Sequence, residues 1–394
     1  MTRYPRIYLA IDNSFATKRW TRPCEWAKII RELGVSCVEA SADTEADPFY
    51  CGEDYLTEWI AEVRSAVEVE GLRVANFYTG YTTYRTLGLA HPDFRVRARI
   101  VNGWLKVMIR IASTIKAGAG FFIHAISESA LQDPAAYAAA ENTLYDELTT
   151  VARFAHAQGP IPIVLEQMYT PHQPPWTIPG TERYMREVAR RGGPGAYVAM
   201  DTGHQTGQRL FLRPDAATIR KALWGGLPEP WLGPESAFGI FRADRARGGE
   251  AGAETVARIE TEMDRYPHLF ASQSDCDLYG WLQRIGCYSP IVHLQQTNGV
   301  SSSHLPFTAE YNAQGIVHPG KVLRAIARSY EGEPLPGLPP RCEEICLTFE
   351  IFPHTTDTKR DILPMLAESV RYWRQWIPRD GQRLDALIGD REAE

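Results

Sequence analysis

The sequence predicts an α/β chain that closes into a single (β/α)8 TIM barrel with one long insertion after its sixth strand. Three observations carry that prediction. Short apolar runs recur between turn signals, as buried parallel strands require. Amphipathic stretches separate these runs, an alternation that right-handed crossovers convert into a parallel sheet. Four of the runs, Ile163 to Glu166, Ala196 to Asp201, Ile291 to Gln296 and Ile345 to Glu350, end in groups able to grip a cation, which suits the C-terminal face of a barrel. An open doubly wound sheet fits less well, because Asp12-Asn13-Ser14-Phe15 follows the first strand where a glycine-rich phosphate loop belongs.

The elements follow in order. Arg6 to Asp12 is the first strand, and Pro23 to Leu33 is a helix closed by Gly34. Ser36 to Ala40 and Leu72 to Tyr78 are the next strands, with a helix at Tyr55 to Glu70 between them. A long helical pattern from Pro92 to Lys116 precedes the fourth strand, Gly118 to His124. Ala135 to Gln158 is helical, Ile163 to Glu166 is the fifth strand, Glu182 to Arg191 a helix, and Tyr197 to Asp201 the sixth strand. Glu166 and Asp201 lie 35 positions apart, about one β/α unit, whereas Asp201 and Gln295 lie 94 apart. That excess marks the insertion, residues 205–286. It is broken by Pro214, Pro228, Pro230 and Gly233-Pro234, with short helices expected at Glu254 to Tyr266 and Cys276 to Ile285. Such an excursion from a strand's C-terminal end reads as a lid or a contact in a homo-oligomer. Ile291 to Gln296, a helix at Pro319 to Ser329, Ile345 to Phe352 and a helix at Lys359 to Trp376 complete a single domain spanning residues 1–394. The tail beyond Pro378 reads as loose.

Composition narrows the function classes. With 44% apolar and 23% charged residues and a formal charge of −6, the chain reads as globular. It has no basic stripe for nucleic acid or an acidic membrane surface. The seven cysteines form no C-x-x-C pair and read as separate thiols of a reduced, cytoplasmic protein. Met1 to Arg6 leads straight into a strand, with neither a signal peptide nor a membrane span expected.

Glu166, Asp201 and Glu350, buried together, would each cost several kcal/mol unless a cation or shared protons neutralised them. A divalent ion is the simplest partner, and an oxygen-rich set favours Mg²⁺ or Mn²⁺. His293 and Gln295 share one face of their strand. Gln295, nearer the C-terminal end, is therefore expected on the metal with Glu166, Asp201 and Glu350, and His293 one layer deeper or supporting it. A metal bound by His293 instead would shift the preference towards Mn²⁺ or Co²⁺.

Leu165-Glu166, Met200-Asp201-Thr202-Gly203-His204, His293-Leu294-Gln295 and Phe349-Glu350 make the chain resemble the xylose-isomerase-like superfamily of metal-dependent TIM barrels from about residue 6 to 376. Ketose 3-epimerases of that superfamily bind one divalent ion through Glu, Asp, His and Glu. Hydroxypyruvate isomerase carries Gln in place of His, and this chain is similar to the Gln version. It departs from both in its insertion and in the loop Thr297 to His304, where the epimerases carry an arginine. The resemblance implies a small sugar or sugar phosphate as substrate. Glu166 and Glu350 would act as base and acid on opposite faces of an α-hydroxy ketone, through an enediolate. His204 would contact a substrate oxygen, and His124, His293 and Trp176 are candidates to line the pocket. Arg209 or His304, with Ser301 to Ser303, are candidates to hold a phosphate. A lyase, dehydratase or decarboxylase acting by the same enolisation is the alternative, while a non-catalytic barrel would not need three converging carboxylates.

Overall fold

The computed structural model describes residues 4–80, 83, 86–248 and 252–389; the opening Met1 to Arg3 lies outside them. Eight parallel strands form the barrel: β1 (Arg6–Asp12), β2 (Cys37–Ser41), β3 (Arg73–Thr79), β4 (Gly118–Phe121), β5 (Ile163–Glu166), β6 (Ala196–Asp201), β7 (Ile291–Leu294) and β8 (Glu344–Phe349). Each pairs with the next, and β1 pairs in parallel with both β2 and β8. The sheet therefore closes and leaves no edge between its first and last strands.

Helices ring this barrel, and the main apolar core lies between them and the strands, with Trp26, Trp281 and Trp373 among its fully buried side chains. The strands begin within about one residue of the sequence reading, but β4, β7 and β8 end two or three residues early, at Phe121, Leu294 and Phe349. The helical stretch after β3 instead divides into Phe94–Ile100, a π turn at Val101–Leu105, and Lys106–Thr114.

Two expectations need correction. The tail is not loose: β9 (Gln382–Arg383) pairs antiparallel with β1, and a helix, Leu384–Gly389, buries Leu384 and Leu387. Asp380 anchors this segment by accepting from Leu9 N at 2.9 Å and by pairing with Arg374. The excursion after β6 is also shorter than predicted. Leu278–Ile285 packs in the helical ring against Ile178–Arg190 and Pro319–Arg328, so it belongs to the barrel. Helices Ala216–Leu223, Glu235–Arg245 and Gly252–Asp264 carry the excursion's own apolar cluster, including Phe241, Ile259 and Met263, which also takes in Ile126, Leu131 and Tyr137. The first two were hidden in sequence by flanking Pro and Gly.

Candidate metal centre

Strand periodicity builds the site in layers, because side chains two apart share a face. Low in the barrel, Ala10, Cys37, Val164, Ala199, Ile291 and Cys346 form an apolar floor. Two residues further along the same strands stand Asp12, Glu39, Glu166, Asp201, His293 and Thr348, all buried. Gln295 and Glu350 come two further on again.

Glu166, Asp201, His293 and Glu350 offer ligand atoms that all lie within 4.8 Å of one another. His293 Nδ1 is 3.1 Å from Glu166 Oε1 and 3.5 Å from Glu350 Oε2, spacings suited to neighbouring ligands of one ion with bonds of about 2.1 Å. Asp201 Oδ1 accepts from the backbone N–H groups of Gly203 (2.6 Å) and His204 (3.0 Å) and from Gln295 Nε2 (2.8 Å). Asp201 Oδ2 and Glu350 Oε2 are buried with no hydrogen-bond partner. A buried carboxylate oxygen without a donor is costly, and a cation would satisfy both at once.

The electrostatics pull the two glutamates apart. Burial raises Glu350 well above the usual carboxylate range, and Glu166 and Asp201 add to the rise against the opposing pull of His293. Burial also acts to raise Glu166, but the hydrogen bond and charge of His293 outweigh it and hold Glu166 below its ordinary value. His293 rises well above its own, because the surrounding carboxylates overcome its burial. Tyr78 donates to Glu166 Oε2.

Gln295 sits in this ring in an orientation the strand argument did not anticipate. Its Oε1 accepts the backbone N–H groups of Ser303 (2.8 Å) and His304 (2.7 Å), leaving Nε2 to face Asp201 and Ser302. As folded it is a donor to Asp201, and its oxygen is committed to the loop. Gly203 makes room for it, since a Cβ there would lie 2.4 Å from Gln295 Cδ. His304, at φ +46°, stacks on Phe352 and brings Nδ1 within 3.4 Å of Glu350 Oε2.

The other named residues divide. His204 is at the ring: its Nδ1–H donates to Gln167 O at 2.6 Å, and its Nε2 lies 3.9 Å from Asp201 Oδ1. Arg209 is exposed and ties the loop by donating to Gly299 O at 2.8 Å. His124 instead donates to Pro174 O in a buried setting that lowers its pKa to about 4. Trp176 lines a separate cavity of about 500 Å³ walled by the helices Pro134–Ala157 and Ile178–Arg190.

Sequence reasoning assigned no role to Asp12, Glu39 or Asn76. Glu39 Oε2 lies 3.0 Å from His293 Nε2, and its Oε1 accepts from Asn76 Nδ2 at 2.7 Å. Burial, then repulsion from Glu39, raises Asp12 to about 7. The signal was available, because Leu9-Ala10-Ile11-Asp12 and Cys37-Val38-Glu39 deliver a carboxylate from an apolar strand as Leu165-Glu166 does.

Comparisons with known proteins agree with this architecture. A family model described as xylose isomerase-like TIM barrel matches residues 27–222. A Brucella abortus (strain 2308) protein, D-erythrulose 1-phosphate 3-epimerase, is 35% identical over 116 residues, which span 29% of this chain and only 34% of that relative's length. Among solved structures, a Rhodospirillum rubrum protein provisionally described as a xylose isomerase superposes with a TM-score of 0.66 at 17% identity, covering 94% of this chain and 99% of that one. The 3-keto-D-glucoside 4-epimerase of E. coli superposes with a TM-score of 0.52 at 12% identity, covering 93% and 99%. Residues 27–222 of the chain thus match the xylose isomerase-like TIM-barrel family, and the closed parallel barrel carries that fold beyond them.

Proposed function

We propose that the protein is a divalent-metal-dependent epimerase or isomerase of a small ketose or ketose phosphate. The observation that carries the reading is the convergence of Glu166, Asp201, His293 and Glu350 at the C-terminal mouth of the barrel with two carboxylate oxygens left without a donor. The partial match to a D-erythrulose 1-phosphate 3-epimerase supports the substrate class.

Glu166, Asp201 and Glu350 would hold the ion, with the fourth donor from the Ile291–Gln295 segment. His293 reaches that position without moving, whereas Gln295 must turn its amide over and give up two backbone hydrogen bonds, a cost of about 1–3 kcal/mol each. Mn²⁺ suits a set of three carboxylates and one imidazole. A bound ion would supply Lewis-acid polarisation of the ketone and offset charge developing on its oxygens.

The chain's own residues supply the proton chemistry. Glu166 on β5 and Glu350 beyond β8 approach from different sides of the mouth, so one removes the proton beside the carbonyl and the other returns one. Return to the opposite face of the same carbon epimerises; return to the adjacent carbon isomerises. Tyr78 fixes the Glu166 carboxylate by donating to Oε2. His204, oriented by Gln167 O, turns Nε2 towards the mouth for a substrate hydroxyl.

The test is deuterium incorporation from D₂O into ketoses and ketose phosphates, followed by NMR with Mn²⁺ added and again after chelation. Chelator-sensitive exchange at one substrate C–H is expected. An absence of exchange across both substrate classes, in protein shown to hold the metal, rejects the enolising reading.

A further inference from the structure

We propose that Glu39 is a positioning residue for the metal centre, acting through His293. It reaches neither the mouth nor the four clustered ligand atoms. Its two oxygens are both engaged elsewhere: one accepts from Asn76 Nδ2 at 2.7 Å, the other faces His293 Nε2 at 3.0 Å, and all three residues are fully buried. His293 Nδ1 then points at Glu166 and Glu350.

The surroundings are shaped to keep this line rigid. Gly118 and Gly120 on β4 leave space for the Asn76 amide, since a Cβ at Gly118 would lie 2.9 Å from Oδ1 and one at Gly120 2.2 Å from Nδ2. The Tyr78 ring stands nearly perpendicular to the imidazole, 5.2 Å between centroids. An imidazole turns easily about its outer torsion, so the hydrogen bond to Glu39 and the edge of Tyr78 together select one ring orientation. A carboxylate behind a metal-facing histidine sets which nitrogen faces the ion, and losing such a partner typically weakens metal affinity 10–100-fold. The inference rests on the metal reading above, and its test separates the two.

The first measurement uses metal-free protein. The Nε2–H proton of His293, one of the ring NMR resonances absent in His293→Gln, is expected downfield in wild type, to survive in Glu39→Gln and to vanish in Glu39→Ala, while the Nδ1–H that faces Glu166 persists. The second is calorimetric titration of chelator-stripped protein with Mn²⁺ alone. Glu39→Ala is expected to bind 10–100-fold more weakly, Glu39→Gln to recover most of that loss because it keeps an acceptor, and Asn76→Ala to weaken binding a few-fold. A merely structural role would lower the melting temperature and leave the Mn²⁺ affinity of the folded protein within twofold of wild type, which overturns the proposal. Should Glu39→Ala not fold, Asn76→Ala decides: affinity within twofold of wild type rejects the proposal. Should wild type itself not bind Mn²⁺, the metal reading fails, and the NMR result alone decides whether Glu39 holds His293.

Discussion

Asp12→Asn should stabilise the metal-free protein, and the size of the effect follows from where Asp12 stands. It is 3% exposed at the end of β1, with burial and the nearby Glu39 raising its pKa from 3.8 to about 7. A carboxyl with a raised folded-state pKa keeps its proton in the native state while the unfolded chain releases it. Stability is therefore unaffected below about pH 4, falls as pH rises from about 4 to 7, and carries the full cost above that. The full difference corresponds to about 4 kcal/mol, and relaxation of Glu39 and His293 around the new amide brings the expected gain to about 2–4 kcal/mol at pH 8. Asn keeps the shape and an oxygen able to accept from Ser14 N, as Asp12 Oδ1 does at 2.6 Å, so the cap of the following turn survives. Urea unfolding of chelator-treated wild type and variant at several pH values from 4 to 8 measures this directly. The two should converge near pH 4–5 and separate steadily above it. Parallel pH profiles, or a variant less stable at pH 8, would show that Asp12 is ionised at little cost and that the charge balance deduced for the lumen is wrong.

Other perturbations report on the ring itself. Glu166→Gln and Glu350→Gln should each reduce turnover by at least ~10²-fold, the scale of a general acid or base; steady-state kinetics on the deuterium-exchanging substrate would detect it, and normal turnover in either removes that residue's role. Gly203→Ala should drive a methyl into Gln295, whose Cδ lies 2.4 Å from the new Cβ, costing about 1–3 kcal/mol and weakening Mn²⁺ binding by loosening Asp201; thermal melts and calorimetry together would reveal both losses. Mn²⁺ at 100 times its dissociation constant should stabilise the protein by about 2.7 kcal/mol, seen as a rise in melting temperature that chelator reverses.

Much of this was legible in the sequence because a parallel barrel writes itself in a strand-helix period. β1 and β5 carry the boundaries read from their apolar runs, and Glu166, Asp201 and Glu350 meet as the strand ends required. What escaped depends on partners remote in sequence. Strand direction brings Gln295 to the mouth but cannot show that Ser303 and His304 present two backbone N–H groups to its oxygen. His124 and Trp176 follow apolar runs much as Glu166 does, yet the chain turns them towards Pro174 and towards a cavity between helices. The tail was misread for the opposite reason: Gln382 and Arg383 look like surface residues, and their backbone finds a partner at the start of β1, Arg6 and Ile7, where the pairing with β2 does not extend.

The lumen and the shell of this barrel pull in opposite directions. Asp12, Glu39, Glu166, Asp201 and Glu350 are all no more than 5% exposed, and in a closed barrel each carries a desolvation cost that His293, side-chain donors such as Tyr78, Asn76 and Gln295 and the backbone N–H groups of Ser14, Gly203 and His204 offset in part, and that a bound cation would offset further. The fold withstands this because its main apolar core lies outside the strands, where Trp26, Trp281 and Trp373 pack fully buried. Truncating those residues should destabilise by about 3–5 kcal/mol, while neutralising Asp12 should stabilise. The same crowding of acids that makes the metal-free lumen costly would give a divalent ion its binding energy, so a change that relieves the lumen is expected to strengthen the metal-free fold and to weaken the proposed grip on metal. Stability and function are in that sense opposed at the same few strand ends, as they are wherever a site is built from groups that repel one another without their ligand.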